Sequence, residues 1–160
     1  KIMKTKIKNV SFILLLLFLV CACNSDDDNL EPQSNSVEFL TIGKDALHGN
    51  GDEGIPQLNA VISNTEDWET LMNQMNSVNN VTDDFTETTI DFDNYVIIAV
   101  FDQIYSYGGN SIEITNVQEN NNEIIISIDD SQQTEGIYPV MEQPFDIVKI
   151  AKIDKTIVFE

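Results

Sequence analysis

The chain has 160 residues, and its 27 Asp and Glu residues against eight Lys and no Arg give a formal charge of −19. A nucleic-acid-binding surface needs clustered cations. Half of the lysines lie in the first eight residues, so we expect no DNA or RNA partner. The length and the 42% content of hydrophobic residues predict one globular domain.

The first 22 residues have the pattern of an export signal. Four lysines precede the apolar stretch Val10–Ala22, which is shorter than the roughly 20 residues that a membrane-spanning helix needs. The sequence Val20-Cys21-Ala22-Cys23 resembles the lipobox of bacterial lipoproteins. We therefore predict a lipoprotein signal peptide at 1–22 and lipidation of Cys23. The alternative is an ordinary secretory signal with two incidental cysteines.

Residues 23–36 are predicted to be an acidic polar tether. The run Asn24-Ser25-Asp26-Asp27-Asp28 directly follows the predicted lipidation site. It resembles the surface-export signal of lipoproteins in one Gram-negative phylum, which implies exposure on the outer face of the outer membrane. A polar spacer on a periplasm-facing lipoprotein is the alternative. We expect the folded domain to occupy 37–160.

A helix is predicted over 65–76. Trp68, Leu71, Met72 and Met75 recur at helical spacing, and Asn64 is a suitable N-cap with Asp67 three residues later. An apolar helix stripe in a domain that contains a sheet normally packs on that sheet, so we assign the four side chains to the core. The alternative is a partner groove with adaptable methionines.

Six or seven short strands are predicted around this helix. Tyr95–Phe101 is continuously apolar, which is typical of a central strand buried on both faces. An asparagine-rich turn at 118–122 predicts an antiparallel hairpin between its flanking strands. The predicted strands are 37–42, 57–63, 95–101, 111–117, 123–128, 145–151 and 156–159, and residues 43–54 are predicted to be a glycine-rich loop. The pattern indicates an α+β fold, as a single domain with a mostly antiparallel sheet and one packed helix.

Several sequence blocks follow one another in a characteristic order between residue 57 and the C-terminus. They are Ser63–Trp68, Asp91-Phe92, Val96–Phe101, Gly108–Ile114, Gln143–Ile150, Lys152 and Lys155–Phe159. These blocks resemble the C-terminal domain family of the protease-complex subunit PrcB. The resemblance implies a lipoprotein that associates with and stabilises a secreted or surface protease, and it does not imply an enzyme.

Catalytic residues are scarce. His48 is the only histidine, so a Ser–His–acid triad or an ordinary zinc site would have to use it. The chain contains no GxSxG, HExxH or phosphate-loop spacing. We expect no enzymatic activity and no cofactor, with His48 as a solvent-exposed loop residue.

Calcium is a more serious candidate ligand, because carboxylates are abundant. The segments 50–53 (Asn-Gly-Asp-Glu) and 91–93 (Asp-Phe-Asp) each offer closely spaced oxygens. Ca²⁺ needs six to eight oxygens that converge on one point, and neither segment matches an EF-hand loop. We therefore expect a solvated acidic surface and no metal site, with Asp91 marking the start of the central strand.

The segment after the predicted central strand is the best candidate for a binding site. Tyr105 and Tyr107 lie next to Gly108, Gly109 and Asn110. Tyrosines supply large amphipathic contact areas at interfaces, and glycines allow a close backbone approach. These five residues are predicted to bind a partner. The alternative, which does not exclude the first, is a structural turn whose tyrosines cover the core.

Together these features predict a non-enzymatic, surface-exposed lipoprotein that acts as a protein-interaction module. The resemblance makes a protease the plausible partner, and the lipid anchor makes the outer membrane the location. A glycan- or small-ligand-binding surface module is one alternative, and a protease inhibitor that acts through a protruding loop is another.

Overall fold

A computed structural model describes residues 34–130 and 133–160 of the chain. One α-helix, α1, spans Thr65–Met75, and a short 3-10 helix spans Val81–Asp84. Ten strands accompany them: β1 Asn35–Ser36, β2 Phe39–Leu47, β3 Leu58–Ile62, β4 Tyr95–Phe101, β5 Gly108–Asn110, β6 Glu113–Glu119, β7 Glu123–Asp129, β8 Gln133–Tyr138, β9 Gln143–Ala151 and β10 Thr156–Phe159. The predicted α+β class is confirmed, although the strands are more numerous than predicted and form three sheets.

The central sheet has the strand order β2-β9-β4-β3, and every neighbouring pair is antiparallel. Side chains of β4 alternate between the two faces of this sheet. Ile97, Ala99 and Phe101 enter one apolar core, while Val96 and Ile98 enter a second core with Val100. The prediction that 95–101 is a central strand buried on both faces is therefore confirmed.

Helix α1 and the adjoining segment supply the first core. Trp68 and Met75 are almost fully buried, and Leu71 and Met72 pack against the same cluster. The backbone N–H of Asp67 donates to Asn64 Oδ1 at 2.9 Å, so the predicted N-cap is present. The apolar stripe of the helix is core, as the sequence predicts.

A second sheet, with the order β1-β6-β7-β10, supplies the other core. Strands β6 and β7 form the predicted antiparallel hairpin. In its turn, Asn120 Oδ1 accepts the backbone N–H groups of Asn122 and Glu123, each at 2.9 Å. Strand β10 pairs with β7 in parallel, so this sheet is not wholly antiparallel.

The prediction of a glycine-rich loop that begins at residue 43 is wrong. Strand β2 continues to Leu47 because Gly43 to Leu47 pair along β9 after a shift of register next to Thr41. A Cβ atom on Gly43 would lie 2.4 Å from the Phe85 ring, so a glycine is needed for this close approach. Here the glycine marks close packing inside a strand, and the loop begins at His48.

Three short strands have no counterpart among the predicted ones. Strand β1 lies within the predicted tether and pairs with β6, and β5 pairs with β8 in a separate two-stranded sheet. All three pair with residues distant along the chain, which local sequence patterns do not report. Among the residues that the structure describes, no helix is long and apolar enough to cross a membrane.

Candidate functional site

The residues predicted to bind a partner follow β4, at the end of the central sheet. The antiparallel pairing continues one residue past β4, because the backbone N–H of Asp102 donates to Pro144 O at 3.0 Å. Asp102 is only 2% exposed. The segment therefore starts from a buried acidic residue that is hydrogen-bonded at the end of the central sheet.

The carboxylate of Asp102 organises the first turn of this segment. Its Oδ1 accepts the backbone N–H of Gln103 at 2.7 Å and Nε2 of Gln57 at 3.2 Å. Its Oδ2 accepts the hydroxyl of Tyr105 at 2.8 Å. Hydrogen bonds to a carboxylate are stronger than neutral ones, so this group closes its own turn through Gln103 and Tyr105 and ties that turn to Gln57.

Gln143 ties a further loop to the same place. Its side chain is buried, and its Nε2 donates to Asp102 O at 2.9 Å and to Ile55 O at 3.0 Å. Its Oε1 is buried without a hydrogen-bond partner among the described residues. Leaving one buried acceptor unpaired costs roughly 1–3 kcal/mol, which the two bonds from Nε2 help to offset.

Tyr105 is half-buried, and its hydrogen bonds fix the conformation of this segment. Besides its hydroxyl bond to Asp102, its backbone N–H donates to Glu142 O at 2.8 Å and its carbonyl accepts from Glu142 N at 3.2 Å. Partial burial raises the pKa of the Tyr105 hydroxyl, and the nearby carboxylate of Asp102 adds to this effect. The hydroxyl therefore stays protonated at neutral pH and remains a donor.

Tyr107 differs from Tyr105 in its exposure. Its side chain is 37% exposed, and its ring centroid lies 6.2 Å from that of Tyr105, with the two planes tilted by 57°. Such tilted aromatic pairs are mutually stabilising. The structure thus separates the two tyrosines: Tyr105 is hydrogen-bonded into the fold, and Tyr107 exposes its ring beside that of Tyr105.

The two glycines and Asn110 form strand β5. Gly108 is buried and pairs with Tyr138 of β8. Gly109 has φ of +101°, a conformation that side-chain-bearing residues rarely adopt. Asn110 donates its backbone N–H to Glu142 Oε1 at 2.7 Å and its Nδ2 to Tyr107 O at 2.8 Å. The structure therefore brings all five predicted residues together in one braced segment.

A cavity of about 440 Å³ opens beside this segment, between it and strand β2. Residues of both signs line it, namely Lys44, Asp45, Ala46, His48, Gly109, Asn110, Ser111, Ile112 and Glu142. His48, predicted to be an exposed loop residue, is exposed at its rim. Two of the predicted binding residues, Gly109 and Asn110, thus line a depression that also carries charged side chains.

Asp146 is a buried carboxylate between the two large sheets. It is 2% exposed, its Oδ2 accepts the backbone N–H of Ile114 at 2.8 Å, and its Oδ1 has no partner among the described residues. Burial raises the pKa of this carboxyl. The bond from Ile114 and the charge of Lys44 oppose the shift, and Glu113 adds to it.

Asp146→Asn is expected to stabilise the fold at neutral pH. Because the pKa of Asp146 is higher in the folded state, the folded protein holds this proton more tightly, and stability falls as pH rises through the window above 3.8. Asn keeps an acceptor for Ile114 and cannot ionise. In urea unfolding, the free energy of unfolding of the variant should exceed that of the wild type by an amount that increases from acid to neutral pH. Asp154→Asn, at an exposed position, is the control for loss of one charge, and an equal pH trend in both variants would contradict this account.

The two segments considered for calcium have local structural roles. Glu53 is 3% exposed, and its Oε1 accepts the backbone N–H of Gly49 at 2.8 Å. Asp91 accepts the backbone N–H of Asp93 at 3.1 Å and Nδ2 of Asn94 at 2.7 Å, and thereby shapes the turn into β4. Within 34–130 and 133–160, no group of three or more His, Cys, Asp or Glu could hold a metal ion.

Four buried polar residues of this region are missing from the predicted set: Asp102, Glu142, Gln143 and Asp146. The sequence does indicate two of them. Asp102 directly follows an apolar run, and Asp146 interrupts one. A polar residue in such a position must find a partner or remain a costly buried group. Apart from the bonds that Asp102 accepts from Gln103 and Tyr105, these side chains find partners 32 to 88 positions away in the chain.

Cys23 and the acidic run 24–28 lie outside the described residues, so the predicted lipidation and surface export stay predictions. No family model matches the chain, and neither does any curated protein or solved structure. The chemistry of the segment after β4 is therefore the main guide to function.

Proposed function

We propose that this chain is a non-enzymatic surface lipoprotein that acts as a protein-interaction module and binds or stabilises a protease. The observation that carries the proposal is the exposed ring of Tyr107 on a braced segment at the end of the central sheet. Aromatic side chains on rigid supports are typical anchors of protein interfaces.

The hydrogen bonds within the Tyr107 segment support this proposal, because ordering a flexible loop on binding costs free energy. The segment is tied down before any partner arrives: Tyr105 bonds to Asp102, and Glu142 accepts from Asn110. Little ordering therefore remains to be done when Tyr107 meets a partner surface.

The membrane location and the protease rest on the sequence. The lipobox-like Val20–Cys23 supports an anchored protein, and the resemblance to the PrcB C-terminal domain supports a protease as the partner. Tyr107 is the main contact residue in this proposal, and Gly109 and Asn110 lie beside it at the depression.

Affinity capture from native membranes, followed by mass spectrometry, tests the proposed function. The wild-type chain should retain a protease that Tyr107→Ala loses. Val78→Ala, an exposed position on another part of the surface, is the matched control and should retain it. Capture of the same proteins by all three chains would count against the segment, and the absence of any protease would count against the partner.

Cys23→Ala is expected to abolish metabolic fatty-acid labelling, because the proposed anchor is a thiol-linked lipid and Cys23 directly follows the small residue Ala22. Cys21→Ala is the matched control and should keep full labelling, since Cys21 would leave with the signal peptide. The reverse pattern would move the modification to Cys21, and labelling of both variants would show that the lipid is attached elsewhere.

A further inference from the structure

Strand β3 forms an open edge of the central sheet. It is the last strand in the order β2-β9-β4-β3, and among the described residues it pairs only with β4. An open edge presents unpaired N–H and C=O groups, which can pair with an added strand.

The ladder between β4 and β9 shows which backbone groups of β4 point towards β3. Asp102 N donates to Pro144 O at 3.0 Å, and Lys152 N donates to Asn94 O at 2.8 Å. Antiparallel hydrogen bonding alternates along a strand, so even-numbered residues of β4 bond to β9. The odd-numbered residues bond to β3.

The register then identifies the free groups of β3. Leu58, Ala60 and Ile62 lie opposite the odd-numbered residues of β4 and bond to them. Asn59 and Val61 therefore direct their N–H and C=O groups away from the sheet. Both side chains are exposed, Val61 to 41%. The edge thus offers two donors and two acceptors in register.

The opposite edge of the same sheet is protected. Strand β2 carries Lys44 and Asp45, and Thr86 covers part of it by donating its backbone N–H to Ile42 O at 2.9 Å and its Oγ1 to Thr41 O at 3.0 Å. Charges and covering loops are the usual means of preventing strand addition. The segment 57–63 has no charge, proline or glycine, and within 34–130 and 133–160 β3 pairs with β4 alone, so the described part of the chain does not give β3 this protection.

A groove of about 310 Å³ runs beside β3 and carries negative charge. Its polar lining includes Gln57 and Asn59 together with the exposed carboxylates of Asp130 and Glu160, and none of the described residues that line it is a lysine. Side chains of an added strand that point to the same face as Asn59 would enter this groove. Lysine or arginine at those positions would meet the two carboxylates.

We propose that β3 is a docking edge for an extended, basic segment of a partner protein, which adds as a fifth strand and places alternate cationic side chains in this groove. A second copy of the chain is a poor occupant, because residues 34–160 contain four lysines and all but four of the 27 acidic residues. This edge is a different surface from the Tyr107 segment, although Gln57 of its groove bonds to Asp102, and the proposal goes beyond the proposed function.

The probe is a fluorescent eight-residue peptide of alternating Lys and Val, titrated into the full-length chain in detergent micelles. We expect saturable binding, and at least about tenfold weaker binding of the same peptide with Glu in place of Lys. Methylation of alternate backbone nitrogens of the probe should also abolish binding. Absence of saturation at millimolar peptide, or binding that N-methylation leaves unchanged, would overturn the proposal.

Substitutions on β3 test whether the peptide binds at this edge. Asn59→Pro removes an outward N–H without loss of a bond to β4, and Val61→Lys adds a charge to the edge. Each should weaken binding at least about tenfold, while Leu40→Lys, at a 52% exposed position on β2, is the matched control and should not. Equal losses in Leu40→Lys would reveal general electrostatic attraction and refute the docking edge.

Hydrogen exchange gives a readout that does not depend on affinity. The amides of Asn59 and Val61 should exchange fast in the free chain and slow down with the peptide, while those of Ala60 and Ile62 should be protected throughout. Protection of Asn59 and Val61 without peptide, together with sedimentation as a dimer that Asn59→Pro dissociates, would assign the edge to a second copy and overturn the proposal.

Discussion

Replacing Tyr105 and Tyr107 together by Ala is expected to weaken partner binding by about 30- to 1000-fold, as the loss of about 2–4 kcal/mol from an aromatic anchor implies. Tyr107 exposes its ring, and the ring of Tyr105 packs next to it. Removing both takes away the contact and its support. Surface plasmon resonance with the captured partner measures the loss.

The single variants separate binding from folding. Tyr107→Ala should lower affinity and leave the thermal midpoint almost unchanged. Tyr105→Phe keeps the ring but leaves Asp102 without one of its donors, so it should lower the free energy of unfolding by about 1–3 kcal/mol. A folded double variant that binds at wild-type strength would remove the segment from consideration as the recognition site.

Trp68→Ala is expected to lower the free energy of unfolding by about 3–5 kcal/mol, the usual cost of truncating a buried aromatic residue. The side chain is 1% exposed, and its Nε1 donates to Thr88 O at 2.8 Å. Its ring stacks on Phe85, with the centroids 6.1 Å apart. The substitution opens a cavity and removes one of the hydrogen bonds that tie 77–89 to the helix. Urea unfolding should be followed by circular dichroism and not by tryptophan fluorescence, because Trp68 is the only tryptophan.

Two controls accompany this measurement. Trp68→Phe keeps most of the ring packing and loses the bond to Thr88, so it should cost less than Trp68→Ala. Val78→Ala, at a 46% exposed position near the end of the helix, should change stability by less than about 0.5 kcal/mol. If Trp68→Ala unfolds with the same midpoint as Val78→Ala, the helix stripe is not part of the core.

Tyr107 and the β3 edge differ in the chemistry that they offer to partners. Tyr107 offers an exposed aromatic ring on a braced turn, whereas Asn59 and Val61 offer backbone groups beside a negative groove. A variant above that loses binding at one surface and keeps it at the other would show that the two surfaces bind separately. Loss of binding at both would indicate a single partner that uses both surfaces.

Local sequence patterns were sufficient for the elements whose stability depends on residues close in the chain or on simple burial. The apolar run of β4 can be satisfied only by burial on both faces, the Trp68–Met75 stripe needs a sheet to pack on, and the turn at Asn120 is closed by its own side chain. The α+β class follows from these elements.

The tertiary structure decided the rest, because it depends on partners that are distant along the chain. Strand β2 continues past Gly43 only because β9 lies beside it, and β5 exists only where β8 pairs with it. Buried Asp102 is satisfied in part by distant residues, because Gln57 reaches its carboxylate and Gln143 reaches its carbonyl. The sequence shows two tyrosines next to a glycine pair. Only the packing around Asp102 distinguishes them, because Tyr105 is hydrogen-bonded into the fold and Tyr107 is exposed.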